Sequence, residues 1–199
     1  MGGVHPKLDF IYSYIYDNTL AELAGRKYSN KAQAEAEKYI EAVSKEFSKH
    51  SEKVLNSISK VSGLKWQKQL IDVYISKYAP YSMSVPLTIK IYRDVKVSTS
   101  ILVHELVHNI IFQNKKRVRY KELFEDFGGE TTATKYHIIE GAILHELNKM
   151  MFSDGLSGFF EYDKWKSKKA GKEYGRAISI VIEEGPENII KQYIVRIPQ

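Results

Sequence analysis

Ser100-Ile101-Leu102-Val103-His104-Glu105-Leu106-Val107-His108-Asn109-Ile110-Ile111 is the stretch from which the rest of the chain is read. Residues four apart stack on one face of an α-helix, so His104 and His108 point the same way. Two imidazoles at that spacing can grip one tetrahedral Zn²⁺ through nitrogens about 2.0–2.1 Å from the metal. Glu105 is turned about 100° from His104, beside the metal rather than on it, where it can take a proton from bound water. The run from Ile101 to Phe112 is otherwise almost wholly apolar, which predicts a buried helix. Two histidines and a glutamate inside such a helix need a reason, because an unpaired buried charge is costly, and a metal supplies one. His104 and His108 are therefore read as metal ligands, Glu105 as the catalytic base and Zn²⁺ as the cofactor.

Composition bounds what surrounds this helix. The chain has 199 residues, 43% hydrophobic and 27% charged, which describes a soluble globular protein with a sizeable core. No apolar run approaches the roughly 20 residues that span a bilayer, so no membrane partner is expected. Met-Gly-Gly-Val-His-Pro lacks the basic start and apolar core of a signal peptide, and Pro6 spoils a myristoylation pattern. A cytoplasmic location is the default expectation. Zero cysteines exclude disulfides and thiolate ligands, leaving His, Asp and Glu for any metal. The net charge of +6 raises the question of nucleic acid. Two basic clusters, Lys115-Lys116-Arg117-Val118-Arg119 and Lys164 with Lys166, Lys168 and Lys169, belong to no recognisable nucleic-acid module. They read as solvated faces, so nucleic acid is not an expected partner.

Along the chain, Leu8 to about Ala24 reads as a first helix ended by Gly25. Ser29 or Asn30 can cap a second, long one reaching about Val61. Together they predict a helical hairpin over residues 1–62, packed on a core formed by 63–199 as one compact unit. Leu70 to Ile75 reads as a helix end or a strand. Tyr81 to Tyr92 reads as a strand, with Pro86 favouring a sheet edge. An edge just before the metal helix could hold a substrate peptide by strand addition. Ser98, Thr99 or Ser100 can cap the metal helix, which should end near Phe112 or Gln113. A further helix is expected from about Glu130 to Met151 after Gly128-Gly129, then a loop over Ser153–Gly158 and an aromatic stretch (Phe159, Phe160, Tyr162, Trp165). Two short helices, about Lys172–Glu184 and Glu187–Val195, close the chain.

A catalytic zinc usually takes three protein ligands and leaves a position for water. Glu122, Glu125, Asp126 and Glu130 all lie within reach in sequence. Glu130 is preferred because it opens a helix after a double glycine, and the small Ala133 three residues on lets that helix approach the metal helix. The metzincin extension is excluded, since Ile111 and Asn114 stand where that group requires Gly and His. His104-Glu105-x-x-His108 followed by Glu130-x-x-Ala133 resembles the gluzincin metallopeptidases, over about Val85 to Met151. The resemblance implies an α+β, mostly α, zincin-like catalytic domain with a small antiparallel sheet, a buried metal helix and a following ligand helix. It implies His104, His108 and Glu130 as ligands and hydrolysis of peptide bonds by a zinc-bound water activated by Glu105, on a peptide or protein substrate. Many gluzincins place an acidic residue shortly after the ligand glutamate to orient a zinc-bound histidine, and Thr134 stands there instead. Asp126, Thr134 or a backbone carbonyl would have to replace it. Candidates for a donor to the oxyanion are Tyr136, His137, His145, Tyr162, Tyr174 and Arg176, with His137 and His145 read foremost as core or surface histidines. A non-catalytic zincin-like scaffold or a basic binding or regulatory module is the competing reading.

Overall fold

The computed structural model describes residues 5–152 and 171–196. Its described elements are mostly helical, arranged around a small mixed sheet. β1 (Lys7–Ile11), α1 (Tyr14–Leu23), α2 (Ala32–Ser48) and α3 (Ser51–Ser62) precede β2 (Leu70–Ser76), β3 (Met83–Ser84) and β4 (Leu87–Lys90). After these come α4 (Val95–Gln113), a 3₁₀ turn at Lys115–Arg117, α5 (Tyr120–Asp126), α6 (Thr132–Phe152), α7 (Lys172–Glu184) and α8 (Pro186–Tyr193).

The sheet runs β1-β2-β4-β3. β1 and β4 flank β2 in parallel, and only the short β3 runs antiparallel, against β4. This corrects the antiparallel sheet expected from sequence. Parallel neighbours need a crossover of a dozen or more residues, and α1, α2 and α3 supply it between β1 and β2. The first helix expected from Leu8 is a strand followed by a shorter helix, which Ser13 caps by accepting from Tyr16 N. Residues 5–62 contribute more than helices to the core they pack on: β1 is a sheet strand, and α2 packs on α4. The long helix expected up to Val61 breaks at Lys49-His50. There the Ser48 hydroxyl donates to Lys45 O (2.9 Å), and α3 restarts at Ser51.

Alternation along the strands sorts the two sheet faces. Ile71, Val73, Ile75, Leu87 and Ile89 are buried in the main core with residues of α2, α3, α4, α6, α7 and α8. Tyr74 and Thr88 face the other way, where Tyr16 of α1 meets them: its ring lies 5.4 Å from that of Tyr74 and its hydroxyl 3.0 Å from Thr88 Oγ1. Next to Tyr16, the wholly buried Asp17 accepts from Ser76 Oγ (2.5 Å), Lys77 N (3.1 Å) and Tyr78 N (3.2 Å), fastening α1 to the loop that leaves β2.

α4 is the central helix, apolar on every side and buried from Ser98 to Val107. It starts earlier than expected, because Asp94 caps it by accepting from Lys96 N (2.8 Å). Ser98, Thr99 and Ser100 instead donate back to carbonyls of the first turn. α6, α7 and α8 lie close to the ranges read from sequence, and Leu70–Ser76 resolves as a strand. The expected loop over Ser153–Gly158, the aromatics from Phe159 to Trp165 and the second basic cluster lie outside the described residues. Among the described residues, no helix is long and apolar enough to cross a membrane.

Candidate metal centre

Where α4 and α6 pack together, four polar side chains meet in an otherwise apolar seam. His104, His108, His137 and Glu140 each offer a ligand atom, and these atoms all lie within 4.8 Å of one another. α4 presents His104 and His108 from adjacent turns of one face, with ring centroids 5.0 Å apart. α6 presents His137 and Glu140 at the i, i+3 spacing, which also shares a face. The His137 ring stands 5.4 Å from that of His108 and 6.4 Å from that of His104.

The surroundings fix how these groups point. His137 Nδ1 lies 2.7 Å from the carbonyl of Ala133, one turn back on α6. A carbonyl only accepts, so Nδ1 carries the hydrogen and Nε2 keeps its lone pair. His104 Nδ1 lies 2.7 Å from Glu140 Oε1, both side chains being almost wholly enclosed. Burial pushes the Glu140 carboxyl up, but His104, through its charge and its contact, and then the charges of His108 and His137 outweigh burial and hold it at about 2. Glu140 Oε2 has no hydrogen-bond partner among the described residues. A buried carboxylate with an orphaned oxygen, facing three imidazoles, is a donor set that a cation satisfies and an apolar core does not. The four residues therefore fit a metal ion.

A cavity of about 540 Å³ opens over the cluster. His104, Glu105, His108 and His137 form its floor, Tyr81 to Ser84 one wall, and Ala133, Gly171, Glu173 and Tyr174 the opposite wall. Glu105 is buried, on the turn of α4 between the two motif histidines. Tyr92 lines the cavity as well; burial pushes its phenol up, the Ser82 hydroxyl pulls it down, and the charge of Glu105 adds to the rise. Tyr174, buried at the start of α7, sets its ring 5.9 Å from that of His104 and 5.4 Å from that of His137.

The wall over Tyr81–Ser84 ends in β3, the outer strand of the sheet. Asn109, directly after His108, donates its side-chain amide to Ser84 O (3.0 Å) and so ties that edge to the metal helix. Pro86 lies in the turn between β3 and β4, where no ladder hydrogen bond is asked of it.

Of the residues singled out from sequence, His104, Glu105 and His108 meet at this cavity, while Glu130 lies elsewhere. Its Oε1 accepts from Arg176 Nε (2.9 Å), and it is not among the four converging groups. Asp126 accepts from Tyr193 Oη (2.7 Å) and Gln192 Nε2 (3.0 Å), and Glu125 lies 3.9 Å from Lys121 Nζ. Glu122 is exposed. Thr134 donates to Glu173 O (3.2 Å) and so joins α6 to α7 rather than orienting a histidine. Among the donor candidates, Tyr174 and His137 reach the cavity. Tyr136 packs on Tyr120 and Phe124, His145 lies on the exposed side beside Glu146, Arg176 pairs with Glu130, and Tyr162 lies outside the described residues. Sequence reasoning missed Glu140 altogether and gave His137 a different role. The usable signal was His137-x-x-Glu140, a ligand and an acidic residue on one helical face. Compared with known proteins, the chain matches no family model, no curated protein and no solved structure.

Proposed function

We propose that this chain is a zinc-dependent metallopeptidase in which His104, His108 and His137 hold the metal and Glu105 is the general base. The observation that carries the reading is the convergence of three imidazoles and a buried carboxylate beneath an open cavity, with Glu105 beside them. A site of three nitrogen donors without thiolates suits Zn²⁺. Glu140 orients His104 by holding a carboxylate oxygen 2.7 Å from its Nδ1, and the Ala133 carbonyl orients His137 by accepting from its Nδ1. This keeps the logic of the gluzincin resemblance, a third ligand from the following helix with an acidic residue shortly after it, but moves it from Glu130 to His137 and Glu140.

Bound zinc would make water a strong nucleophile near neutral pH and polarise the carbonyl it attacks. Glu105 takes the proton from that water and hands it to the departing amine. Tyr174 supplies a hydroxyl for the oxygen that gains charge. The edge over Tyr81–Ser84 receives the substrate as an added strand, which suits an extended peptide.

Metal analysis of protein purified without added metal, followed by a peptide-library screen, tests the proposal. The expected result is about one zinc per chain, lost in His108→Ala. Glu105→Gln should keep the metal and lower turnover by about 10²–10⁴-fold. Wild-type turnover in Glu105→Gln overturns the base assignment, and protein that takes up no zinc on reconstitution overturns the reading as a whole.

A further inference from the structure

Three segments far apart in sequence meet around the C-terminal end of α4. Gln113 Oε1 accepts from Gln67 N (2.7 Å), Asn114 Nδ2 donates to Lys65 O (2.9 Å), and Val195 N donates to Arg117 O (2.8 Å). Gly63, left-handed at the end of α3 (φ 69°), leaves room for the Arg196 side chain, whose Cγ lies 2.7 Å from where a Cβ would stand. The segments are 63–69, 109–119 and 194–196, and they contain no Asp or Glu. They carry Lys65, Lys68, Lys115, Lys116, Arg117, Arg119 and Arg196, of which only Arg117 is half-buried. These seven cations exceed the net charge of the whole chain, +6, by one, so the rest of the molecule is close to neutral.

None of the seven forms an ion pair with a described carboxylate, and the Arg119 guanidinium donates instead to the Gln192 carbonyl (3.3 Å). The negative end of a helix explains one or two cations in its last turn. It does not explain Lys65, Lys68 and Arg196, which other segments bring. On the α4 segment of this surface Phe112 is 52% exposed, with Lys115 Nζ 5.7 Å above its ring. A bare aromatic ring inside a field of unpaired cations is what stacked bases and their phosphates use.

We propose that this surface docks single-stranded nucleic acid, its cations tracking the phosphates and Phe112 stacking a base. A membrane would call for several insertable apolar side chains, and a duplex would leave Phe112 without a base to stack on. Phe112 stands one helical turn beyond His108, and none of the seven cations lines the metal cavity. Its test therefore needs neither metal nor turnover.

Fluorescence anisotropy with labelled single-stranded DNA and RNA of about 20 nucleotides gives the readout across a salt titration. Affinity should fall with salt at a log–log slope of about −0.7 per phosphate neutralised. Replacing Lys65, Lys115 and Lys116 together by alanine should weaken binding about tenfold or more and flatten that slope by about 2. Replacing the exposed Lys27, Lys31 and Lys38, which lie between α1 and the middle of α2, should leave affinity within about twofold, with both variants checked by their melting curves. Phe112→Ala should cost about tenfold on single strands and little on a duplex of the same sequence. No binding at low salt overturns the proposal, as does equal loss in the two triple variants. Binding to phosphatidylserine vesicles but not to either oligonucleotide overturns it in favour of a lipid surface.

Discussion

His137 and Glu140 show how much a shift of a few residues matters along a helix. Glu130 lies before α6 begins at Thr132, and its carboxylate is engaged by Arg176. His137 and Glu140 sit one to two turns further on, where α6 faces α4. His137→Ala should therefore abolish zinc binding, whereas Glu130→Ala should leave the stoichiometry unchanged, as read by metal analysis of the two proteins. Glu140→Gln should lower affinity for zinc by about 10–100-fold through His104. The reverse pattern, metal kept by His137→Ala and lost by Glu130→Ala, would return the third ligand to Glu130. His104, Glu105 and His108 were legible in the sequence because their mutual geometry is set inside one helix. The partners on α6 were not, because the register between two helices is set by side-chain packing that one-dimensional spacing does not carry.

At the scale of elements, Leu8 to Ile11 is too short for periodicity to separate strand from helix, and it is the pairing with β2 that decides. The tie between α1 and the sheet was also hidden. Asp17 looks like an ordinary acidic residue of a first turn, yet it is buried and gathers three donors from residues 76–78. Asp17→Ala strands those donors and should cost about 2–4 kcal/mol in urea unfolding. A change below about 0.5 kcal/mol would mean that water replaces the carboxylate there without penalty. The loop concerned leads into Tyr81–Ser84, so the same variant should also loosen the wall of the cavity. By contrast, α7 was legible to within a residue at either end, because Gly171 and the Gly185-Pro186 pair punctuate it.

The whole molecule was legible as a class, mostly helical α+β around one buried helix, and illegible in its topology. Strand direction follows from long-range crossovers, and nothing local marks the segment before β2 as a crossover rather than a separate hairpin. Of the basic surface at the end of α4 only Lys115–Arg119 showed as a cluster in the sequence; Lys65, Lys68 and Arg196 join it through the fold alone. At this scale a metal ion bound at the cluster would also clamp α4 to α6. Chelation should lower the melting temperature by about 10 °C, and returning zinc should restore it. An unchanged melting curve would show that no ion was held by the folded chain.

The enclosed Glu140 carboxylate also fixes an account of valence. Imidazoles that ligate a metal must be neutral, so a cation held there would meet two carboxylates, Glu105 and Glu140. A dication brings the enclosure to neutrality. A monovalent ion leaves one uncompensated negative charge, and a trivalent ion one positive, in a space that water screens poorly. Before size or ligand preference came into play, such a cluster would sort its guests by how many electrons they have lost.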